Sequence, residues 1–182
     1  MHLVRHGLSW FNVHFAKTRV DPGFVDPALT EEGKVQAAAA GEGLRGKGIE
    51  RLVVSPYLRT LETAEIIAST LDVPIVINPV VRERCFFACD IGTARDELET
   101  RFPHLDFGDL EHRWWPEANN ETEEELGARC LAFTEAMRSD TSWRQICVVT
   151  HWGFIRGLTG YEAKNGEIVR HDLDAPSASL QL

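Results

Sequence analysis

Two arginines and two histidines carry most of the chemistry that this sequence offers. Arg5 and His6 follow the apolar pair Leu3-Val4 directly and precede Gly7. They set a fixed cation beside a nitrogen whose ordinary pKa is about 6.5. Two further apolar runs end in comparable groups. Ile49 to Val54 leads into Ser55-Pro56 and then Arg59, and Ile146 to Thr150 leads into His151-Trp152-Gly153. Taken singly, each residue has an ordinary explanation, such as a histidine in a turn or an arginine on a solvated helix face. Brought together, two guanidiniums and two imidazoles make a pocket for a dianion. Phosphate fits best, because the arginine fork matches its oxygens bidentately.

The elements that must position these residues follow from periodicity. Short apolar runs alternate with helical-period segments, which predicts an α/β fold. We expect a three-layer α/β/α sandwich with a largely parallel central sheet and a small inserted cap. Strands are predicted at the start, at 49–54, at 73–77 and at 146–150, with two more in the tail at 167–173 and 178–182. Helices are predicted from Thr30 to about Leu44, over 57–71, over 121–139 and from Gly153 to Leu158. Thr122 with Glu125 forms a capping box at the start of the third. Residues 8–29 read as a loop punctuated by two Asp-Pro pairs. The stretch from about 84 to 121 shows neither period over Cys85 to Asp90, is expected to be helical around Asp96 to Arg101, and reads as a cap inserted into a single domain spanning 1–182. Its aromatic residues Phe86, Phe87, Trp114 and Trp115, together with Trp10, are candidates for lining a substrate cap or for the insertion's own small core. In open α/β sheets ligands bind beyond the carboxyl ends of the strands. The helix N-termini after Pro56 and Gly153 are expected to aim their positive dipole ends at the same place.

Composition narrows the function classes. The 182 residues carry a formal net charge of −9, with 43% hydrophobic and 26% charged residues. That balance suits an ordinary soluble globular protein and argues against general binding to nucleic acid or to an anionic membrane surface. No apolar run approaches the ~18 residues needed to span a bilayer. Cys85, Cys89, Cys130 and Cys147 show neither a CxxC pair nor zinc spacing, so a reduced, cytoplasmic protein without metal or cofactor is expected.

The ordered set of motifs resembles the histidine phosphatase superfamily, the phosphoglycerate mutase-like group. Leu3-Val4-Arg5-His6-Gly7 matches its opening signature, and Ser9 and Asn12 match the RHG-x-S-x-x-N extension. Asp26-Pro27-Ala28-Leu29-Thr30-Glu31-Glu32-Gly33 resembles its D-x-x-L-T-x-x-G stretch. Ser55 to Ala64 is close to its second motif and Val149 to Gly153 to its third. The resemblance implies that His6 is a nucleophile that becomes phosphohistidine. Arg5, Arg59 and His151 would bind the phosphoryl group, Asn12 would contact phosphate or substrate beside Ser9, and Glu83 would donate the proton. Two departures stand out. Trp152 occupies a position where glycine is usual, which places an indole near the pocket. The segment after Glu83 lacks the common F-G-x-W/L-E-G run and makes Asp90 a second candidate acid. The resemblance thus implies a phosphomonoesterase acting on a small phosphorylated metabolite and releasing inorganic phosphate. The alternatives are a phosphoglycerate mutase-type isomerase working by phosphoryl transfer and a non-catalytic phosphate- or phosphoprotein-binding module. Oligomeric state is not specified by the sequence.

Overall fold

The strands run through the molecule's centre because their side chains are apolar on both faces. The computed structural model describes residues 1–117 and 120–174. Within them β1 (His2–Arg5), β2 (Arg51–Val54), β3 (Ile75–Ile77), β4 (Ile146–Thr150) and β5 (Ile168–Arg170) form one sheet in the order β3-β2-β4-β1-β5. β1, β2, β3 and β4 pair in parallel and β5 pairs antiparallel to β1. Parallel strands buried on both faces read as continuous apolar runs, and every residue of β4 is buried. The side chains alternate between two cores. Val4, Leu52, Val54, Cys147 and Val149 face one layer, while Leu3, Val53, Ile146 and Val148 face the other.

The helices complete the sandwich. α2 (Glu31–Leu44) and α3 (Leu58–Leu71) cover the first face through Ala40, Leu44, Leu61, Ala64 and Ile67. α5 (Glu123–Arg138) and α6 (Trp152–Thr159) cover the second through Leu126, Cys130, Phe133, Phe154 and Ile155. The caps anticipated from sequence form. Thr30 accepts from the Gly33 amide, and Thr122 and Glu125 bond each other's backbone reciprocally. Among the described residues no helix is long and apolar enough to cross a membrane.

Three expectations change. Residues read as loop contain a helix, α1 (Trp10–Thr18), capped by Ser9 and closed by Arg19 in a left-handed conformation. Its capping box uses Asn12 in place of the usual Glu or Gln, and its aromatic positions are poor helix formers, so sequence pattern hides it. The second change concerns the packing of the segment 84–121, in which the helix expected around 96–101 does form, as α4 (Arg95–Arg101). Leu98, Phe102, Phe107, Leu110 and Trp114 join the core beneath α2 and α3 rather than making a core of their own, and half-buried Trp115 packs against the same cluster. Trp114 also stacks edge-on against Tyr57, 4.6 Å away, and bonds the Thr93 carbonyl through its indole N–H. Trp10 is the third, being 57% exposed. The strand expected at 178–182 lies outside the described residues.

The turn after β1 is pressed against the first turn of α2. The Leu8 carbonyl accepts from both the backbone and the hydroxyl of Thr30, at 2.9 and 3.0 Å. A Cβ on Gly7 would lie 2.2 Å from the Gly33 carbonyl oxygen, and one on Gly33 would lie 2.2 Å from that of Leu8. Backbone has no rotamer with which to yield, so a methyl at either site forces the His6 turn off α2. Gly33→Ala is expected to lower stability by about 3 kcal/mol, of the order of overpacking in a rigid site. A urea titration checks this, and a loss under 0.5 kcal/mol would show that the turn can move aside.

Candidate active site

The parallel register of β1 and β4 sets Arg5 opposite Thr150, so His6 and His151 emerge one residue beyond adjacent strand ends. Their ring centroids are 5.2 Å apart, and the His6 amide donates to the Thr150 carbonyl at 2.9 Å. Both residues are buried, with 3% and 0% exposure. His6 Nδ1 lies 2.7 Å from its neighbour's carbonyl, that of Gly7. A carbonyl only accepts, so the ring proton sits on Nδ1 and the Nε2 lone pair is left without a hydrogen-bond partner among the described residues. Burial, then the cations Arg59 and Arg5, hold the His6 pKa well below 6.5. The ring is therefore neutral at pH 7 and its Nε2 is a nucleophile. The turn that presents it is tied on every side. Gly7 donates to Thr63 Oγ1, and Asn165 donates its side-chain amide to the carbonyls of His6 and Gly7.

His151 is arranged the opposite way. Its Nε2 is 2.9 Å from Ser55 Oγ, and its Nδ1 is buried without a partner. The ring thus keeps Nδ1, not Nε2, uncommitted among the described residues. Arg5 supplies an uncommitted donor. Its Nη1 bonds the Ala163 carbonyl at 2.8 Å, while its Nε is buried without a partner among the described residues. Burying an N–H without an acceptor costs about 1–3 kcal/mol, so the free Arg5 Nε suits an acceptor-rich ligand.

Arg59 is the most constrained cation. It is 3% exposed, donates to the Cys89 carbonyl at 2.8 Å and to Asp90 Oδ1 at 3.2 Å, and lies 4.3 Å above the Tyr57 ring. Burial opposes its charge, but the acidic groups of Cys89, Asp90 and Asp26 outweigh burial and raise its pKa. Asp26, whose carboxyl burial pushes up to about 6, accepts from Thr93 and from the Leu58 amide at the start of α3.

The two candidate acids differ in how their oxygens are used. Asp90 accepts from the Phe86 and Phe87 amides through Oδ2 and from Arg59 through Oδ1, so both its oxygens are engaged. Glu83 accepts from the Arg84 and Gly153 amides, both at 2.8 Å and both through Oε1. Its Oε2 has no partner among the described residues. Burial and the neighbouring Asp90 charge raise the Glu83 pKa, which favours a proton-carrying carboxyl. The expected helix N-terminal anion site is thereby modified. One amide at the start of α3 and one at the start of α6 are taken by Asp26 and Glu83 rather than left for a ligand. Gly153 is required here, since a Cβ would sit 2.3 Å from Glu83 Oε1.

Of the nine residues singled out from sequence, eight line one cleft, and the ninth, His151, is fully buried with its ring 5.2 Å from that of His6. The cleft measures about 600 Å³ and includes Arg5, His6, Arg59 and Glu83. Ser9 and Asn12 line it too, but their side chains chiefly cap α1. The Ser9 hydroxyl donates to Asn12 Oδ1 at 3.0 Å, and Asn165 donates to the same oxygen at 3.2 Å. Trp152 lines the wall with the Arg156 guanidinium 5.0 Å from its ring. Sequence reasoning missed Asp26 as the brace of Arg59, Asn165 as the brace of the His6 turn, and Phe11 and Phe15 on the cleft wall. The Asn165-Gly166 pair, a turn signal, was the one available clue to the second. Among the described residues His, Cys, Asp and Glu form no cluster of three or more that could hold a metal ion.

Behind Glu83 stands a buried ionic clamp. Arg129 of α5 forks onto both oxygens of Glu121, at 2.8 and 2.7 Å, and also donates to the carbonyls of Val80, Arg82 and Glu83. Glu121 in turn accepts from Arg82 and from the Cys85 amide.

The family model of the histidine phosphatase superfamily (branch 1) matches residues 1–179. A "probable phosphoglycerate mutase GpmB" of Salmonella arizonae is 36% identical over 129 residues, 71% of this chain and 47% of that protein. Its counterpart in Erwinia tasmaniensis is 41% identical over 83 residues, 46% of this chain and 37% of that protein. This chain thus spans about half or less of the length of these curated relatives. Among solved structures, YhfR of Bacillus stearothermophilus superposes with a TM-score of 0.62 at 26% identity, covering 87% of this chain and 77% of that one. A mycobacterial glucosyl-3-phosphoglycerate phosphatase superposes with a TM-score of 0.61 at 23% identity, covering 88% and 78%. That likeness bears on the fold.

The Arg129–Glu121 clamp gives a direct test of how the acid's segment is held. Arg129→Met leaves buried Glu121 with only Arg82 and the Cys85 amide and removes a donor from three backbone carbonyls, which should cost about 3 kcal/mol in a denaturant titration. The double variant Arg129→Met with Glu121→Leu should recover more than half of that loss. Full additivity of the two losses would show that the pair is not a unit.

Proposed function

This chain belongs to the histidine phosphatase superfamily (branch 1), and on that footing we propose that it is a metal-independent phosphomonoesterase acting on a small phosphorylated compound. One observation carries the reading. A neutral His6 has its proton held on Nδ1 by the Gly7 carbonyl, and two buried nitrogens without partners among the described residues, Arg5 Nε and His151 Nδ1, belong to the same pair of strand ends.

The steps follow from these groups. Arg5, Arg59 and His151 bind the phosphoryl oxygens, in a role where one donor is typically worth ~10²–10³ in rate. His6 Nε2 attacks phosphorus as the bond to the ester oxygen breaks, and Glu83 gives its proton to the departing oxygen. The product alcohol leaves and phosphohistidine remains. Water then attacks phosphorus, Glu83 takes the water's proton, and the P–N bond breaks to release inorganic phosphate. Glu83 is preferred to Asp90 because only Glu83 keeps an uncommitted oxygen. The segment from about 84 to 121 serves as a cap in a single domain, since its first residues supply one wall of the cleft. Four buried free cysteines suit a reducing, cytoplasmic setting. Ser9 and Asn12 act on substrate mainly by fixing α1 and the His6 turn, and Trp152 by shaping the wall.

The names of the curated relatives support a second reading, a phosphoglycerate mutase. That reading requires interconversion of 2- and 3-phosphoglycerate stimulated by 2,3-bisphosphoglycerate. Absence of such interconversion alongside ester hydrolysis rejects it.

His6→Ala should reduce hydrolysis of p-nitrophenyl phosphate at least ~10³-fold with the circular dichroism spectrum unchanged. Near wild-type turnover would remove the mechanism. Glu83→Gln should slow an alkyl phosphate ~10²-fold or more and p-nitrophenyl phosphate far less, because nitrophenolate leaves without a proton. Equal losses on both esters would mean that Glu83 is not the donor. In wild type the kcat/KM profile should keep the nucleophile active below pH 6.5, since His6 is shifted down. It should fall on the alkaline side as the upshifted Glu83 loses its proton. Glu83→Gln should abolish that alkaline fall.

A further inference from the structure

The wall that faces the phosphate clamp is aromatic, and its composition bears on what the phosphate is attached to. Phe11 and Phe15 of α1 stack at 5.3 Å, and Phe87 meets them at 5.4 and 5.1 Å. Phe86 adds an edge-on contact with Phe87 at 5.1 Å. All four rings line the cleft that holds His6, Arg59 and Glu83. They come from two unrelated parts of the chain, so helix or strand packing within one element does not explain the cluster. Phe86 is 57% exposed at the mouth. A large ring left in water beside other rings marks a surface that gains by being covered.

The charged groups at the mouth offer a second anionic substituent little. Arg84 is ion-paired with Glu123 and bonds the Glu121 carbonyl, and Arg156 is paired with Glu123 as well. Arg19 has no ion pair among the described residues, but it is exposed and lies 5.8 Å over the Phe15 ring. Glu162 lines the same cleft with the opposite charge. An exposed cation beside an acid contributes little to holding a carboxylate.

We infer that the alcohol half of the substrate is a planar apolar group, an aromatic ring or ring system seated between Phe15, Phe86 and Phe87 with its phosphate on His6. A small polyol or a hydroxy acid is excluded as the preferred substrate. The inference rests on the phosphomonoesterase reading for its turnover arm, whereas its binding arm needs only the cleft.

The test uses the purified full chain and esters with comparable alkyl leaving groups: 3-phenylpropyl phosphate, propyl phosphate, sn-glycerol 3-phosphate and 3-phosphoglycerate. The kcat/KM for 3-phenylpropyl phosphate should exceed that for propyl phosphate by about tenfold to a hundredfold, the scale of burying one ring. Both polar esters should rank below it. Phe15→Ala and Phe86→Ala should each reduce the phenylpropyl-to-propyl ratio about threefold or more. In parallel, calorimetric titration compares 3-phenylpropylphosphonate with propylphosphonate, which cannot be hydrolysed. A ratio near one in both arms, or a preference for 3-phosphoglycerate, overturns the inference. No His6-dependent turnover of any ester, with the phosphonate preference intact, overturns the phosphomonoesterase reading and leaves the aromatic subsite standing.

Discussion

The parallel pairing of β1 with β4 is the constraint on which the rest depends. It sets Arg5 against Thr150, and so brings two histidines from opposite ends of the chain to within 5.2 Å between ring centres. β2 pairs on the other side of β4 and delivers Ser55 to His151 Nε2. A parallel sheet can supply such a rim because all its carboxyl ends point the same way, and the crossover helices then stand outside it. One residue of slippage between β1 and β4 would reverse which face each side chain meets and separate the two rings. The double-sided burial of these strands makes that slip costly.

Electrostatics inside the rim follow a single rule. Each buried carboxylate is satisfied by backbone amides before it meets a guanidinium. Asp26 takes the Leu58 amide, Asp90 takes those of Phe86 and Phe87, and Glu83 takes those of Arg84 and Gly153. The carboxylates are thereby fixed in position by the main chain, and Arg59 is oriented between Asp26 and Asp90. Arg5 Nε and His151 Nδ1 are buried without hydrogen-bond partners among the described residues. A buried polar nitrogen left open in this way calls for a partner from outside the chain.

Much of this was legible in the chain. β4, the helix over 58–71 and the capping box at Thr122 announce themselves through periodicity and end signals, because each is decided by its own residues. Arg5, His6, Arg59 and His151 were legible because strand ends and the order of motifs place them. The helix after Ser9 was not, since its stability comes from packing Phe11 and Phe15 against Phe87, some 70 positions away. Nor was the role of Asp26, whose partners Leu58 and Thr93 lie 32 and 67 residues on. The aromatic segment was misjudged in part because Trp114 reaches Tyr57 and the main core, a choice that only the three-dimensional course of the loop decides.

The contact between Glu83 and the Gly153 amide has an architectural consequence. The carboxylate belongs to an irregular segment, yet its anchor is the first turn of the helix that follows His151. The acid's coordinates are thus inherited from β4 and α6, the same rigid unit that carries the second histidine. Its own segment adds a second hold from behind, where Arg129 of α5 grips the carbonyls of Val80, Arg82 and Glu83. Two groups far apart in the chain thus stand as one rigid piece in space.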